Sequence, residues 1–160
     1  VAPANTYARH KLTMEETVLA AAPQAILLRA TWMYDMPIYG AANRSNFLMN
    51  LLRAAAAGEN LSFSSQQVRG ITYVRDVADK IQEILDHDIP GGIYNFGSEN
   101  ALDMLKTARI CSDMLGLRLQ IADTDSRHDL NMDCTKLRRF GVSFPDTIEG
   151  MRRCKADYGL

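Results

Sequence analysis

No stretch of this 160-residue chain reads GxGxxG or GxxGxxG, the strand-to-helix turn on which dinucleotide-binding α/β domains seat a pyrophosphate. The glycines of "YGAANRSNF" and "PGGIYNFGS" neither follow a strand nor open a helix in the required way. Cysteine is scarce: three residues, no CxxC, and an odd number that suits no disulfide framework, so reduced thiols in a cytoplasmic setting are expected. No apolar run approaches the ~20 residues of a membrane helix, and "VAPANTYARHK" lacks the basic-then-apolar layout of a signal peptide. No membrane partner is expected. Neither sign of charge dominates, with 18 basic and 19 acidic residues and a net charge of −1. Without clustered Lys and Arg there is no basis for a nucleic-acid surface. His10, His87 and His128 have no partners at metal-ligand spacing, so no metal is expected. There is no internal repeat.

What is present suits a folded domain with a real core: 47% apolar and 23% charged residues. Asn5 or Thr6 caps a predicted helix running from Tyr7 to about Ala22, which Pro23 ends. "AILLRATWMY" reads as one buried strand, followed by a loop holding Pro37 and Gly40. In "SNFLMNLLRAAAAG" the residues Phe47, Leu48, Leu51 and Leu52 share a helical face, and Gly58 is the stop. "LSF" and "GITYV" are short strands, and Asp76 stands as the cap of the helix "VADKIQEIL". "GIYNFGS" is a strand, "ALDMLKTARICSDMLG" a helix, "RLQIA" a strand and 136–140 a short helix. "PDTIEGMRRCKADYG" is the last helix, with Pro145 near its first turn. Strands alternating with helices give an α/β layer structure.

In "YARHK", Tyr7 and Lys11 stand one helical turn apart on a shared face. An ammonium near a phenol favours the phenolate, so such a tyrosine can exchange a proton with a carbonyl oxygen or hydroxyl, while the lysine binds a ribose hydroxyl. The pentapeptide alone does not separate this from a Tyr/Lys pair covering a helix surface.

The residues that follow supply the context. "PANTYARHKLTMEE", "LLRATWMYD", "SNFLMNLLRAAAAGENLSF", "ITYVRDVADKI", "GGIYNFGSEN" and "DTDSRHDLNMDCTKLRRFGV" occur in an order that resembles the extended short-chain dehydrogenase/reductase family. Within it they are most similar to the sugar-nucleotide reductases of the dTDP-4-dehydrorhamnose reductase branch. The resemblance covers essentially the whole chain. It implies the C-terminal part of a Rossmann-like NAD(P)-binding fold plus the small α/β sugar-nucleotide-binding lobe, without the glycine-rich N-terminal half. Residues 1–40 would be the remnant of the Rossmann-like domain. Residues 41–160 would be mainly the substrate lobe, with about 70–100 returning to the first domain.

By the same resemblance, Tyr7 is the general acid to the C4 oxygen of a 4-keto-6-deoxy sugar nucleotide. Lys11 assists it and holds the nicotinamide ribose, so both residues are catalytic and cofactor-binding. The family's Thr/Ser partner and its glycine-rich loop lie upstream of the tyrosine. NAD(P)H is therefore expected in the parent enzyme, with no tight binding and no activity in the 160 residues alone. Trp32, Asn46, Arg69 and Arg127 match positions that contact the nucleotide sugar. Read by themselves, Trp32 suits a core or interface, Asn46 a helix cap, and the two arginines a solvated surface. Arg29 reads as a structural ion pair with Glu15 or Glu16. "SSQQVRGITYVRD" departs from the reductases' Asp-Gln-x-Gly-x-Pro-Thr and is closer to epimerases and dehydratases. An NAD-dependent epimerase or dehydratase, and a non-catalytic binding subunit, therefore stay open. A truncated sheet would also expose an edge for self-association.

Overall fold

The structure is a computed structural model and describes residues 3, 5–37 and 45–160. The expected loop at Gly40, and the expected boundary between residues 40 and 41, lie outside the described residues.

Among the described residues, six helices and eight short strands are interspersed along the chain. Helix α1 (Thr6–Ala21) begins at Asn5, whose side chain accepts the Ala8 N–H at 2.8 Å. The extended segment after Pro23 is two strands, β1 (Ile26–Ala30) and β2 (Trp32–Tyr34). This corrects the single buried strand expected from the apolar run. The break at Thr31 is a change of partner, since β1 pairs in parallel with β6 (Gly92–Phe96) and β2 with β5 (Ile71–Tyr73). Burial is also less than expected, because Leu28, Arg29 and Ala30 are exposed. Among the described residues β1 has a strand on one side only.

Helix α2 (Phe47–Ala57) buries Leu48 and Leu51 as its periodicity predicts, and Gly58 ends it in the left-handed region, at φ 67°. The remaining strands are β3 (Leu61–Phe63), β4 (Gln67–Arg69), β7 (Ile121–Asp123) and β8 (His128–Leu130). They form two further parallel pairs, β3 with β7 and β4 with β8. The sequence gives no signal for β4 or β8, which are polar and only three residues long. "RLQIA" also begins its strand later than expected, at Ile121.

Helix α3 (Val74–Asp86) starts before Asp76 rather than after it. Asp76 is therefore no cap. It lies inside the first turn and is fully buried. Helices α4 (Met104–Met114), α5 (Thr135–Arg138) and α6 (Thr147–Tyr158) complete the order. Asp146 caps α6 by accepting the Glu149 N–H at 2.8 Å, which puts Pro145 just ahead of the cap instead of in the first turn.

Two apolar clusters hold these elements together. One joins Tyr34, Leu48, Leu51, Ile71, Tyr73, Ala108, Cys111, Met151 and Cys154, from α2, β2, β5, α4 and α6. The other packs Val77, Ile84, Tyr94, Phe96, Leu137 and Val142 under α3 and β6. Each fully buried large side chain contributes about 1.5–3 kcal/mol. The three cysteines are buried free thiols, and burial pushes Cys111 up to about 12. Helix α6 is latched by polar contacts too. Tyr73 Oη donates to Asp157 at 3.0 Å, Tyr158 Oη donates to Asp35 at 2.8 Å, and Thr147 Oγ1 accepts the Ile71 N–H at 3.1 Å. No helix among the described residues is long and apolar enough to cross a membrane.

Candidate functional site

Two clefts open on the segment that contains the change of partner. The first, of about 560 Å³, is lined by Pro3, Tyr7, Ala8, Lys11, Leu12, Glu15, Leu28, Arg29 and Ala30. Helical spacing places Tyr7 and Lys11 together on its wall. Lys11 Nζ lies 5.6 Å from the Tyr7 ring centre, and the Tyr7 side chain is 70% exposed, open to a reacting partner. Beneath them Arg29 grips Glu15 in a two-pronged contact, Nε to Oε1 at 2.7 Å and Nη2 to Oε2 at 2.5 Å. That hydrogen bonding to Arg29, reinforced by the charges of Arg29 and Lys11, holds the Glu15 carboxyl below its ordinary value. The ion pair expected for Arg29 is this one.

The second cleft, of about 550 Å³, brings together residues from four parts of the chain: Trp32 and Met33, Ser45 to Phe47 with Asn50, Phe63 with Gln67, Arg69 and Ile71, and Met104. Three of the four residues expected to meet substrate thus line this one cleft: Trp32, Asn46 and Arg69. The Arg69 guanidinium lies over the Trp32 ring, its Cζ 3.5 Å from the ring centre. Its Nη1 is buried without a hydrogen-bond partner among the described residues. Burial pulls Arg69 below the usual arginine value. The backbone beneath it is fixed by Asn100, whose Nδ2 donates to the Arg69 carbonyl at 3.0 Å and to Thr107 Oγ1 at 2.9 Å. Arg69 is thus held by its backbone and stacked on an indole, with hydrogen-bonding capacity that no described residue uses.

Asn46 plays the capping part as well. Its Oδ1 accepts the Met49 N–H at 2.9 Å, and its Nδ2 donates to the Asp35 carbonyl at 3.0 Å. Arg127 is exposed and is not among the residues lining this cleft, although His128 beside it pairs with Gln67. Sequence reasoning missed Gln67 and Asn50, the polar side chains that flank Arg69 and Asn46 in the lining. Gln67 lies on β4, which has no periodicity to read, whereas Asn50 stands on α2 four residues after Asn46, and that helical spacing was the available signal.

Residues 1–130 match the family described as the RmlD substrate binding domain. The chain belongs to that family. Among curated members of this group, the dTDP-4-dehydrorhamnose reductase of Mycolicibacterium smegmatis is 29% identical over 114 residues, covering 71% of this chain and 33% of its own length. Two solved structures share the fold. The NADP complex of the dTDP-4-dehydrorhamnose reductase from Bacillus anthracis superposes with a TM-score of 0.81 at 20% identity, over 98% of this chain and 55% of the other. A UDP-galactose 4-epimerase superposes with a TM-score of 0.71 at 19% identity, over 99% of this chain and 55% of the other. The chain therefore has the α/β fold of the Rossmann-like sugar-nucleotide enzymes, and it spans about a third of the length of the curated relatives it matches.

Proposed function

We propose that this chain supplies the proton-donating pair and the nucleotide-sugar cavity of an NAD(P)-dependent sugar-nucleotide reductase like the relatives named above. The observation that carries this reading is Arg69, its guanidinium stacked on Trp32 in the lining of a cavity large enough for a nucleotide. A planar guanidinium matches the oxygens of a diphosphate, and the exposed indole face suits a deoxysugar with its apolar methyl group.

In this reading Tyr7 gives its phenolic proton to the sugar carbonyl oxygen as that oxygen takes on negative charge. Lys11, one turn along, places a cation beside both the phenol and a ribose hydroxyl. A nicotinamide cofactor, when bound, supplies the hydride. Tyr7 and Lys11 fit the ribose end of such a cofactor, while the chain's own sequence offers no glycine-rich cradle for the pyrophosphate. We therefore expect the 160 residues alone to bind NAD(P)H weakly. The pairing of β1 with β6 and of β2 with β5 supports assigning the segment near 70–100 to the same unit as residues 1–40. A second reading, an epimerase or dehydratase, is favoured by one observation. Arg69-Gly70-Ile71 stands where the reductases carry glycine and proline.

Trp32 is the sole tryptophan, so its fluorescence reports directly on the cavity. Titration with dTDP is expected to change that emission saturably, and Arg69→Gln to weaken binding about tenfold, the equivalent of one charge-assisted contact. Absence of saturable dTDP binding, or an undiminished affinity in Arg69→Gln, would refute the assignment of the cavity.

A further inference from the structure

The two clefts share a joint. Thr31 stands where the extended segment leaves β6 for β5, with Ala30 lining the Tyr7–Lys11 cleft on one side and Trp32 lining the Arg69 cavity on the other. Three segments cross there. The Thr31 N–H donates to the Phe96 carbonyl at 3.2 Å, the Thr31 and Thr72 hydroxyls are hydrogen-bonded to each other, and Thr72 Oγ1 accepts the Ser98 N–H at 2.8 Å. Thr72 is fully buried. Gly97 completes the crossing at φ +150°, and a Cβ on it would lie 2.7 Å from Thr31 Cγ2 and 2.8 Å from Thr72 Oγ1. The glycine is what lets the two threonines meet.

Ladder hydrogen bonds fix each two-stranded pair internally. The angle between the β1–β6 pair and the β2–β5 pair is set by the packing of α3 on β6 and by the contacts at this crossing, where the hydroxyl pair is a directional, partly buried link. One residue beyond each threonine lies a wall of the cavity, Trp32 after Thr31 and Ile71 before Thr72. We propose that Thr31 and Thr72 are positioning residues whose hydroxyl pair sets the seat of Trp32 beneath Arg69, and through it the shape of the nucleoside-diphosphate cavity. The inference rests on the reading of that cavity given above.

Thr31→Val keeps the side-chain shape and removes the hydroxyl, whereas Thr31→Ser keeps the hydroxyl. In Thr31→Val the Trp32 emission is expected to shift and dTDP affinity to fall about tenfold, with cooperative unfolding retained. Thr31→Ser is expected to keep the wild-type emission and to stay within about twofold in affinity. A Thr31→Val emission indistinguishable from wild type, or a Thr31→Ser that behaves like Thr31→Val, overturns the proposal. One readout needs no variant. In the unmutated chain a slowly exchanging hydroxyl proton should show NMR cross-peaks to the γ-methyl groups of both threonines, and its absence also overturns the proposal. If wild type binds no dTDP, the cavity assignment fails, and the emission comparison alone decides whether Thr31 positions Trp32.

Discussion

Helix α1 carries the proposed proton donor yet buries no residue completely. Its inner stripe is Ala8, Leu12, Glu15 and Leu19, all half-buried, so the one charged member of that stripe matters more than it would on a well-packed helix. Glu15→Gln or Arg29→Gln removes the two-pronged contact. An exposed ion pair contributes about 0–1 kcal/mol, and a hydrogen bond to a charged group about 1.5–3 kcal/mol. Here the Arg29 side chain is 47% exposed and that of Glu15 16%, so solvent screens half of the pair. A value of about 1 kcal/mol is appropriate, equivalent to about a fivefold change in the local opening equilibrium.

Hydrogen exchange of residues 6–21 measures that opening directly. Each single variant should speed exchange there by about fivefold while α4 and α6 keep wild-type protection. The charge-swapped double variant, Glu15→Arg with Arg29→Glu, should recover part of the loss. The pH dependence follows from the lowered carboxyl of Glu15. Its stabilising contribution is present above the ordinary glutamate value of 4.5 and is lost as pH falls through the lower folded value. Exchange in residues 6–21 unchanged in both single variants would refute the argument, because α1 would then be held by its apolar contacts alone.

Asp76 gives the opposite pH dependence. Burial raises it against the pull of Arg153, so the protonated form suits the fold, and stability is lost as pH rises from the ordinary value of 3.8 through the raised folded one. Asp76→Asn should flatten the thermal-stability profile on that side by at most about 1.4 kcal/mol per pH unit, and an identical slope in the variant would refute this. Arg127→Ala should leave dTDP affinity within about twofold, because the side chain stands outside the cavity lining; a tenfold loss would return Arg127 to the site. The exposed Leu28 and Met33, with the edge of β1 that has no strand beside it among the described residues, predict concentration-dependent self-association of the 160 residues. Sedimentation velocity showing one monomeric species across a wide concentration range would refute it.

Much of this architecture was legible in the letters because it is local. Apolar spacing, Asn5, Gly58 and Pro23 set the helices, and the shared face of Tyr7 and Lys11 follows from helical geometry alone. The cavity was not legible in that way. Trp32, Asn46 and Arg69 meet through strand pairings between distant segments, and only the resemblance to a family grouped them in advance. Asp76 was misread because an aspartate ahead of a helical pattern has the look of a cap. Its burial depends on Arg153 and Gly150, which α6 brings from far down the chain. A Cβ on Gly150 would lie 3.2 Å from Tyr34 Oη and 3.4 Å from Asp76 Oδ2, so its missing side chain leaves the space that the buried carboxyl and phenol share.

The parallel pairing has a consequence for how the chain acquires its shape. Ile26 meets Gly92, Leu61 meets Ile121 and Gln67 meets His128, so each of these pairings must close a long loop before any ladder bond forms. The largest apolar cluster also waits for Met151 and Cys154 on α6. In chain order β1 and β2 precede the β6 and β5 partners they need, and the cluster around Tyr34, Tyr73 and Leu51 is complete only when α6 has joined it. Long-range closure of this kind favours slow folding, and removal of α6 is expected to leave the cluster around Tyr34 and Tyr73 unformed.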